Sequence, residues 1–253
     1  MRVTGFVVAL ALSVSGTAAA QEWDEYTNVK DGFKINFPGQ PSVAEKTWTS
    51  QMNYTLPMRV YSAEKGSSDG KGPAGRERYS LTVVDYSGIE QLGIERAKTC
   101  PPGNANCRAN APPALGPGYS HHDERGAIVY ATFKLLQREA KLSYMAWEWQ
   151  DMVEGQLLHL TNADQSRTFA WIGMHAHKLY IVEGTVPMGY PEPGLFQQSM
   201  GWVDKDGNGI RYQTIYSNSY HGMGVYPVPV VGRGGRGGGG AVASPAGRGG
   251  QAQ

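Results

Sequence analysis

Gln156-Leu157-Leu158-His159-Leu160-Thr161-Asn162 opens the stretch whose reading decides the fold. It runs on through Phe169-Ala170-Trp171-Ile172-Gly173-Met174 to Leu179-Tyr180-Ile181-Val182-Glu183-Gly184-Thr185-Val186. Three short apolar runs, 157–161, 169–174 and 179–186, lie back to back. Asp164-Gln165-Ser166 separates the first two and His177-Lys178 the last two. Short apolar runs bounded by polar turn residues predict an antiparallel meander. With His177-Lys178 as a two-residue turn, Ile172, Met174 and Ile181 share one face, and Trp171, His175, Tyr180 and Val182 the other. Both faces are then apolar, so each requires a covering layer. A layered α+β domain follows.

Working outward toward the N-terminus, Phe33, Ile35 and Phe37 alternate with Lys34 and Asn36, the period of a half-buried strand. Asp31-Gly32 turns into this strand and Pro38-Gly39 turns out of it. Further strands are expected over 56–63 and 79–86, joined by a Gly-, Ser- and Lys-rich loop at 64–75. A short helix is expected over 89–98, from the spacing of Ile89, Leu92, Ile94 and Ala97. Residues 100–118 form a Pro- and Gly-rich excursion. Over 123–136 two helical stripes are visible: Ala127, Tyr130 and Lys134, and Ile128, Ala131 and Leu135. A strand over 127–133 competes, because β-branched and aromatic residues crowd it. Residues 142–149 alternate like a strand. Past the meander, Pro193 opens a closing helix whose stripe is Leu195, Phe196, Ser199, Met200 and Val203.

These segments carry a family resemblance. Asp31-Gly32-Phe33-Lys34-Ile35-Asn36-Phe37-Pro38 followed by Tyr79-Ser80-Leu81-Thr82-Val83-Val84-Asp85-Tyr86 resembles exported bacterial proteins of the PsbP-like class. The polar turn His177-Lys178 before Leu179-Tyr180-Ile181-Val182, and the Phe196-Gln197-Gln198-Ser199 helix, fit the same class. The resemblance implies an α/β/α sandwich, an antiparallel sheet with helices on both faces, over most of residues 23–212. It implies a binding or assembly role and supplies no catalytic residues. The 100–118 excursion and the C-terminal tail depart from the pattern.

The two ends set the address. Arg2, an apolar run over 6–12 and Ala18-Ala19-Ala20 have the order of a secretory signal peptide, expected to be cleaved between Ala20 and Gln21. An uncleaved anchor is the alternative. No later stretch approaches the roughly 20 apolar residues of a membrane span. A single domain is expected over 21–221, and a disordered Gly- and Arg-rich tail over 222–253, which has too few apolar side chains to offset its ordering entropy. The formal net charge of +1 supplies no field that would gather nucleic acid. Arg233-Gly234-Gly235-Arg236 and Arg248-Gly249-Gly250 imitate RNA-binding segments but lack interleaved aromatics. The chain has two cysteines, Cys100 and Cys107. In an oxidising compartment they are expected to pair; two free thiols or a metal site are the alternatives.

Three clusters carry possible chemistry. His175-Ala176-His177 places two imidazoles at i and i+2, which one strand face could offer to a metal, although a turn at His177 opposes it. His121-His122-Asp123-Glu124 could bind metal or move protons with a partner from elsewhere, or could simply cap a helix. Asp204-Lys205-Asp206-Gly207-Asn208-Gly209 begins like a calcium loop, but Ile215 stands where the bidentate acid belongs and Arg211 where the apolar pin belongs, so a tight turn is expected. No cofactor is implied. The leading reading is an exported, non-catalytic module that binds an envelope protein or small ligand without stable membrane insertion. The alternative is a metal-dependent or hydrolytic enzyme using His121 and His122 or His175 and His177.

Overall fold

The computed structural model describes residues 23–66, 76–99, 119–217 and 230–231. The N-terminal residues expected to form a signal peptide, Cys100, Cys107 and the Arg-Gly-Gly segments lie outside the described residues. The chain forms two antiparallel sheets. The larger is seven-stranded, in the order β3 (Ser42–Thr49), β4 (Thr55–Lys65), β5 (Glu77–Asp85), β9 (Lys178–Val186), β8 (Arg167–His175), β7 (Val153–Asn162) and β6 (Ala140–Gln150). The smaller runs β1 (Trp23–Asn28), β2 (Phe33–Pro38), β10 (Gly201–Val203), β11 (Gly209–Arg211) and β12 (Val230–Val231). Helices α1 (Ile89–Lys98), α2 (Tyr119–Arg125) and α3 (Ala127–Leu136) fall between β5 and β6. A single turn, α4 (Gly194–Gln197), follows β9.

The expected meander is present, with its turn moved by one residue. Ala176 and His177, both at positive φ (47° and 62°), make the two-residue turn, and His175 pairs with Lys178. Positive φ at both central positions matches the twist of the flanking strands. The register therefore slips by two, not one, relative to a turn at 177–178. Because strand side chains alternate with period two, every residue keeps its predicted face. Ile172, Met174 and Ile181 enter one core with Leu158, Ala170 and Leu179; Trp171 and Val182 enter the other with Leu81, Val83 and Tyr180.

Those two cores are closed differently, which corrects the expected sandwich. On one face α3 contributes Ala127, Ile128, Ala131 and Leu135, and Ile89 of α1 joins them. On the other face the cover is the smaller sheet. Phe33, Ile35 and Phe37 of β2 and Trp202 of β10 pack there, with Phe196 of α4 and Met200 beside them. The layers are thus helices, large sheet, small sheet. Among the described residues a single helical turn occupies the second face, because the chain re-enters an extended course at Gly201 to pair with Lys34 of β2. Val203, expected in the closing helix, is a strand residue, and Leu195 of the expected stripe is exposed.

Two further differences have local causes. The contest over 127–133 is settled as helix, and the predicted stripe Ile128, Ala131 and Leu135 is the buried one. Gly126 interrupts the helical stretch between α2 and α3; a side chain there would meet Gln51 Oε1 at 2.8 Å. In α1, Leu92 and Ile94 are exposed rather than packed. Strand β3 left no periodic signature, since six of its eight residues in sequence, Ser42 to Thr47, are exposed on both sides of an edge ribbon.

An ion pair fastens the small sheet to the large one. Asp31, in the turn between β1 and β2, is fully buried and accepts hydrogen bonds from Arg59 Nε (2.6 Å), Arg59 Nη2 and the Tyr61 hydroxyl (2.5 Å), both residues on β4. Tyr180 on β9 donates its hydroxyl to the Asp31 carbonyl at 2.5 Å. Burial pulls the Asp31 carboxyl upward, but the Arg59 and Tyr61 hydrogen bonds and the Arg59 charge outweigh it and hold it below its ordinary value.

Candidate functional site

Of the histidines singled out by the sequence, His175 and His177 do not meet, and the His121 side chain lies outside the described residues. His175, on the small-sheet side of β8, is 3% exposed and lies against Trp202 with ring centroids 4.3 Å apart. Its Nε2 shares a 2.6 Å hydrogen bond with the Tyr212 hydroxyl, and its Nδ1 reaches no polar partner among the described residues. Burial drives its pKa down to about 3, with the Lys178 charge acting the same way, so the ring is neutral. His177 sits two residues on, in the turn, and its Nδ1 meets Glu124 Oε1 of α2 at 2.6 Å. That pairing raises its pKa. The i, i+2 spacing fails as a metal clamp because the turn begins between the two rings. One ends in the core and the other at the surface.

In the 121–124 cluster, α2 exposes His122 and buries Asp123. Asp123 is not a helix cap, as its residue type suggested. Its carboxylate accepts the Ser50 hydroxyl and, at 3.3 Å, the Met52 N–H, fastening α2 to the turn between β3 and β4. Among the described residues no three His, Cys, Asp or Glu side chains are grouped as metal ligands would be. The Asp204–Asn208 segment is the expected turn, joining β10 to β11. Its Asp204 Oδ1 accepts the N–H groups of Asp206 and Asn208, each at 2.9 Å.

The feature that the sequence did not single out is an apolar surface along β6 and α3. β6 is an edge of the large sheet. Met145, Trp147 and Trp149 stand opposite Leu158, Gln156 and Glu154 of β7, which puts them on the face that α3 covers farther in. There they are exposed, Trp147 by 63% and Trp149 by 54%. Leu142, opposite Leu160, extends the row. On α3, Val129, Phe133 and Leu136 are exposed as well, Val129 by 71%. Their spacing of four and three residues aligns them on one side of the helix. Tyr130 and Lys134 face the opposite way, toward Trp48 of β3 at the far edge of the sheet. The exposed helix row and the exposed strand row thus lie on the same side of the large sheet.

A scattered apolar side chain on a surface needs no account, but two such rows on one side of a sheet do. Two tryptophans, a phenylalanine and four aliphatic or Met side chains on two neighbouring elements present an area of several hundred Å², by rough count of half-exposed side chains. The alternation over 142–149 was legible as a strand. Its position at the edge, beyond the reach of α3, was not, because no local pattern records which strand ends a sheet.

No family model matches the chain, and no curated protein matches it. The solution structure of cyanobacterial PsbP (CyanoP) from Synechocystis sp. PCC 6803 is similar in fold, with a TM-score of 0.32 at 10% sequence identity. The match covers 76% of this chain and 99% of that chain. No helix of the described residues is long and apolar enough to cross a membrane.

Proposed function

We infer that the protein is an exported, non-catalytic binding or assembly module of the cell envelope, and that it recognises protein through the apolar surface of β6 and α3. The observation that carries this reading is the pair of exposed apolar rows on one side of the large sheet, Leu142, Met145, Trp147 and Trp149 on the strand and Val129, Phe133 and Leu136 on the helix. Tryptophan and methionine are the side chains most enriched where proteins meet, since they bury much area with few polar groups to desolvate. Export is supported by the order of basic, apolar and small residues that ends at Ala20.

The test is site-specific photo-cross-linking in the living producer. A benzophenone side chain at position 149 or 133 is expected to trap a protein adduct. The same group at Val43 or Glu45 on β3, the opposite edge, is expected to trap none. Adducts at both edges, or at neither, would overturn the assignment of this surface. Mass spectrometry of the exported product reads the address: a chain beginning at Gln21 is expected, and an intact Met1 in the membrane fraction contradicts it.

A further inference from the structure

The backbone of β6 narrows the identity of the partner. Asp151 and Met152, at φ 43° and 67°, form a two-residue turn, and Gln150 pairs with Val153 across it. Residues flanking such a turn exchange both of their backbone hydrogen bonds, and bonded pairs then alternate along the ladder. Gln150, Glu148 and Ala146 therefore direct N–H and C=O toward β7, and Trp149, Trp147 and Met145 direct theirs away from the sheet. A separate bond confirms the phase. The Glu154 N–H, next along β7, donates at 3.0 Å to the Tyr216 carbonyl on the side remote from β6. Among the described residues no strand takes up the outward groups of β6. Met145, Trp147 and Trp149 thus offer both exposed apolar side chains and open ladder positions.

Resting on the reading of this surface as a protein-recognition site, we propose that its occupant is a second copy of the chain, paired antiparallel along β6 about a two-fold axis at Trp147. This register sets Trp147 against Trp147 of the second copy, and Met145 against Trp149 of the second copy on each side. All three outward residues then form hydrogen-bonded pairs, about six interchain bonds in all. The side chains meet on one face as Trp beside Trp, flanked twice by a sulfur against an indole. About that axis each contact recurs as its symmetry partner, as in any isologous interface, and the apolar row of Met145, Trp147 and Trp149 meets its own copy. Moving the axis to Met145 would run the pairing across the register shift between Leu142 and Tyr144. Moving it to Trp149 would run it into the Asp151-Met152 turn. Trp147 is the centre that keeps the pairing on regular strand.

The same geometry sets the strength. β8, under α3, lies two strands in from β6, so the two α3 axes stand about 24 Å apart and do not touch. Two edge strands meeting with no helix contact make a small interface, and association in the micromolar range is expected. On the opposite face the Glu148 carboxylates of the two copies lie diagonally across the axis and oppose pairing.

Sedimentation velocity of the purified protein from about 1 to 300 μM is the deciding measurement. A monomer–dimer equilibrium in the micromolar range is expected. Trp147→Pro removes an N–H that bonds nothing within the monomer, a position where an edge strand tolerates proline. It is expected to leave the circular dichroism unchanged and to weaken dimerisation at least about 30-fold. Should that variant misfold, Trp147→Glu replaces it with the same expected loss. Glu148→Gln is expected to tighten the dimer, which a contact elsewhere on the molecule would not show. A wild type that stays monomeric throughout, or a dimer that survives Trp147→Pro and Trp147→Glu alike, overturns the proposal. Monomeric protein that still yields an adduct to a different protein at position 149 overturns the second copy alone and leaves the recognition surface standing.

Discussion

His175 and His177 sit two residues apart and titrate in opposite senses. The buried His175 ring has its pKa lowered from 6.5 to about 3, so the unfolded chain takes up a proton that the folded one refuses. Its contribution to stability is complete above 6.5 and is lost as pH falls toward 3. Between about pH 7 and pH 4 that loss is about 3 kcal/mol. Chemical denaturation at the two pH values checks it: His175→Gln is expected to show the smaller acid loss of the two proteins. His177 has its pKa raised by Glu124, so its contribution is complete below 6.5 and is lost as pH rises through the raised value. Its side chain is 59% exposed, which keeps this second effect small. A Glu124→Gln variant whose stability still falls as pH rises above 6.5, as steeply as the wild type's, would refute that pairing.

At the scale of elements, glycine and tryptophan positions decide how tightly the strands approach. The Trp171 indole lies flat along the sheet across Gly173 and Gly155. A Cβ at Gly173 would stand 2.0 Å from the ring, and one at Gly155 would stand 2.6 Å from it. Gly173→Ala must displace a fully buried indole, and a loss of about 1–3 kcal/mol in a denaturant melt is expected. The single turn α4 offers a sharper comparison. Phe196 is fully buried against Phe37 and Tyr79, with ring centroids 5.2 Å away in each case, whereas its neighbour Leu195 is more than half exposed. Phe196→Ala is expected to cost about 3–5 kcal/mol and Leu195→Ala no more than about 0.5 kcal/mol. Gln197 cannot serve as the silent control that a longer helix would have made it, because the turn buries its side chain. Equal losses at 195 and 196 would mean that α4 does not dock.

Over the whole molecule the two sheets share one interior. Asp31 is anchored by Arg59 and Tyr61, and Tyr180 and Trp202 meet edge to face with ring centroids 4.9 Å apart across the layers. The small sheet has no other apolar partner among the described residues, so it should not outlast the large one. Tryptophan fluorescence and far-ultraviolet circular dichroism are expected to give the same unfolding midpoint; separated midpoints would show the sheets coming apart independently. Closing the large sheet joins β5 to β9, with Leu81 against Val182, on the order of 100 residues along the chain. Refolding in milliseconds to seconds is expected, since that loop must close before the central pairing forms.

The sequence by itself determined the meander, the alternating strand at Phe33, Ile35 and Phe37, and the buried stripe of α3, because local periodicity states which face of an element avoids water. It determined the two faces of β8 and β9 even with the turn misplaced by one residue, since a slip of two preserves the alternation. Only the tertiary structure decided what covers each face, where the large sheet ends and which groups His175 meets. Those depend on pairings between residues far apart in the chain, such as Leu81 with Val182 and Lys34 with Gly201, which leave no periodic trace. The exposed row on β6 is the plainest case. Met145, Trp147 and Trp149 read like any half-buried strand, and among the described residues no eighth strand or longer α3 reaches them.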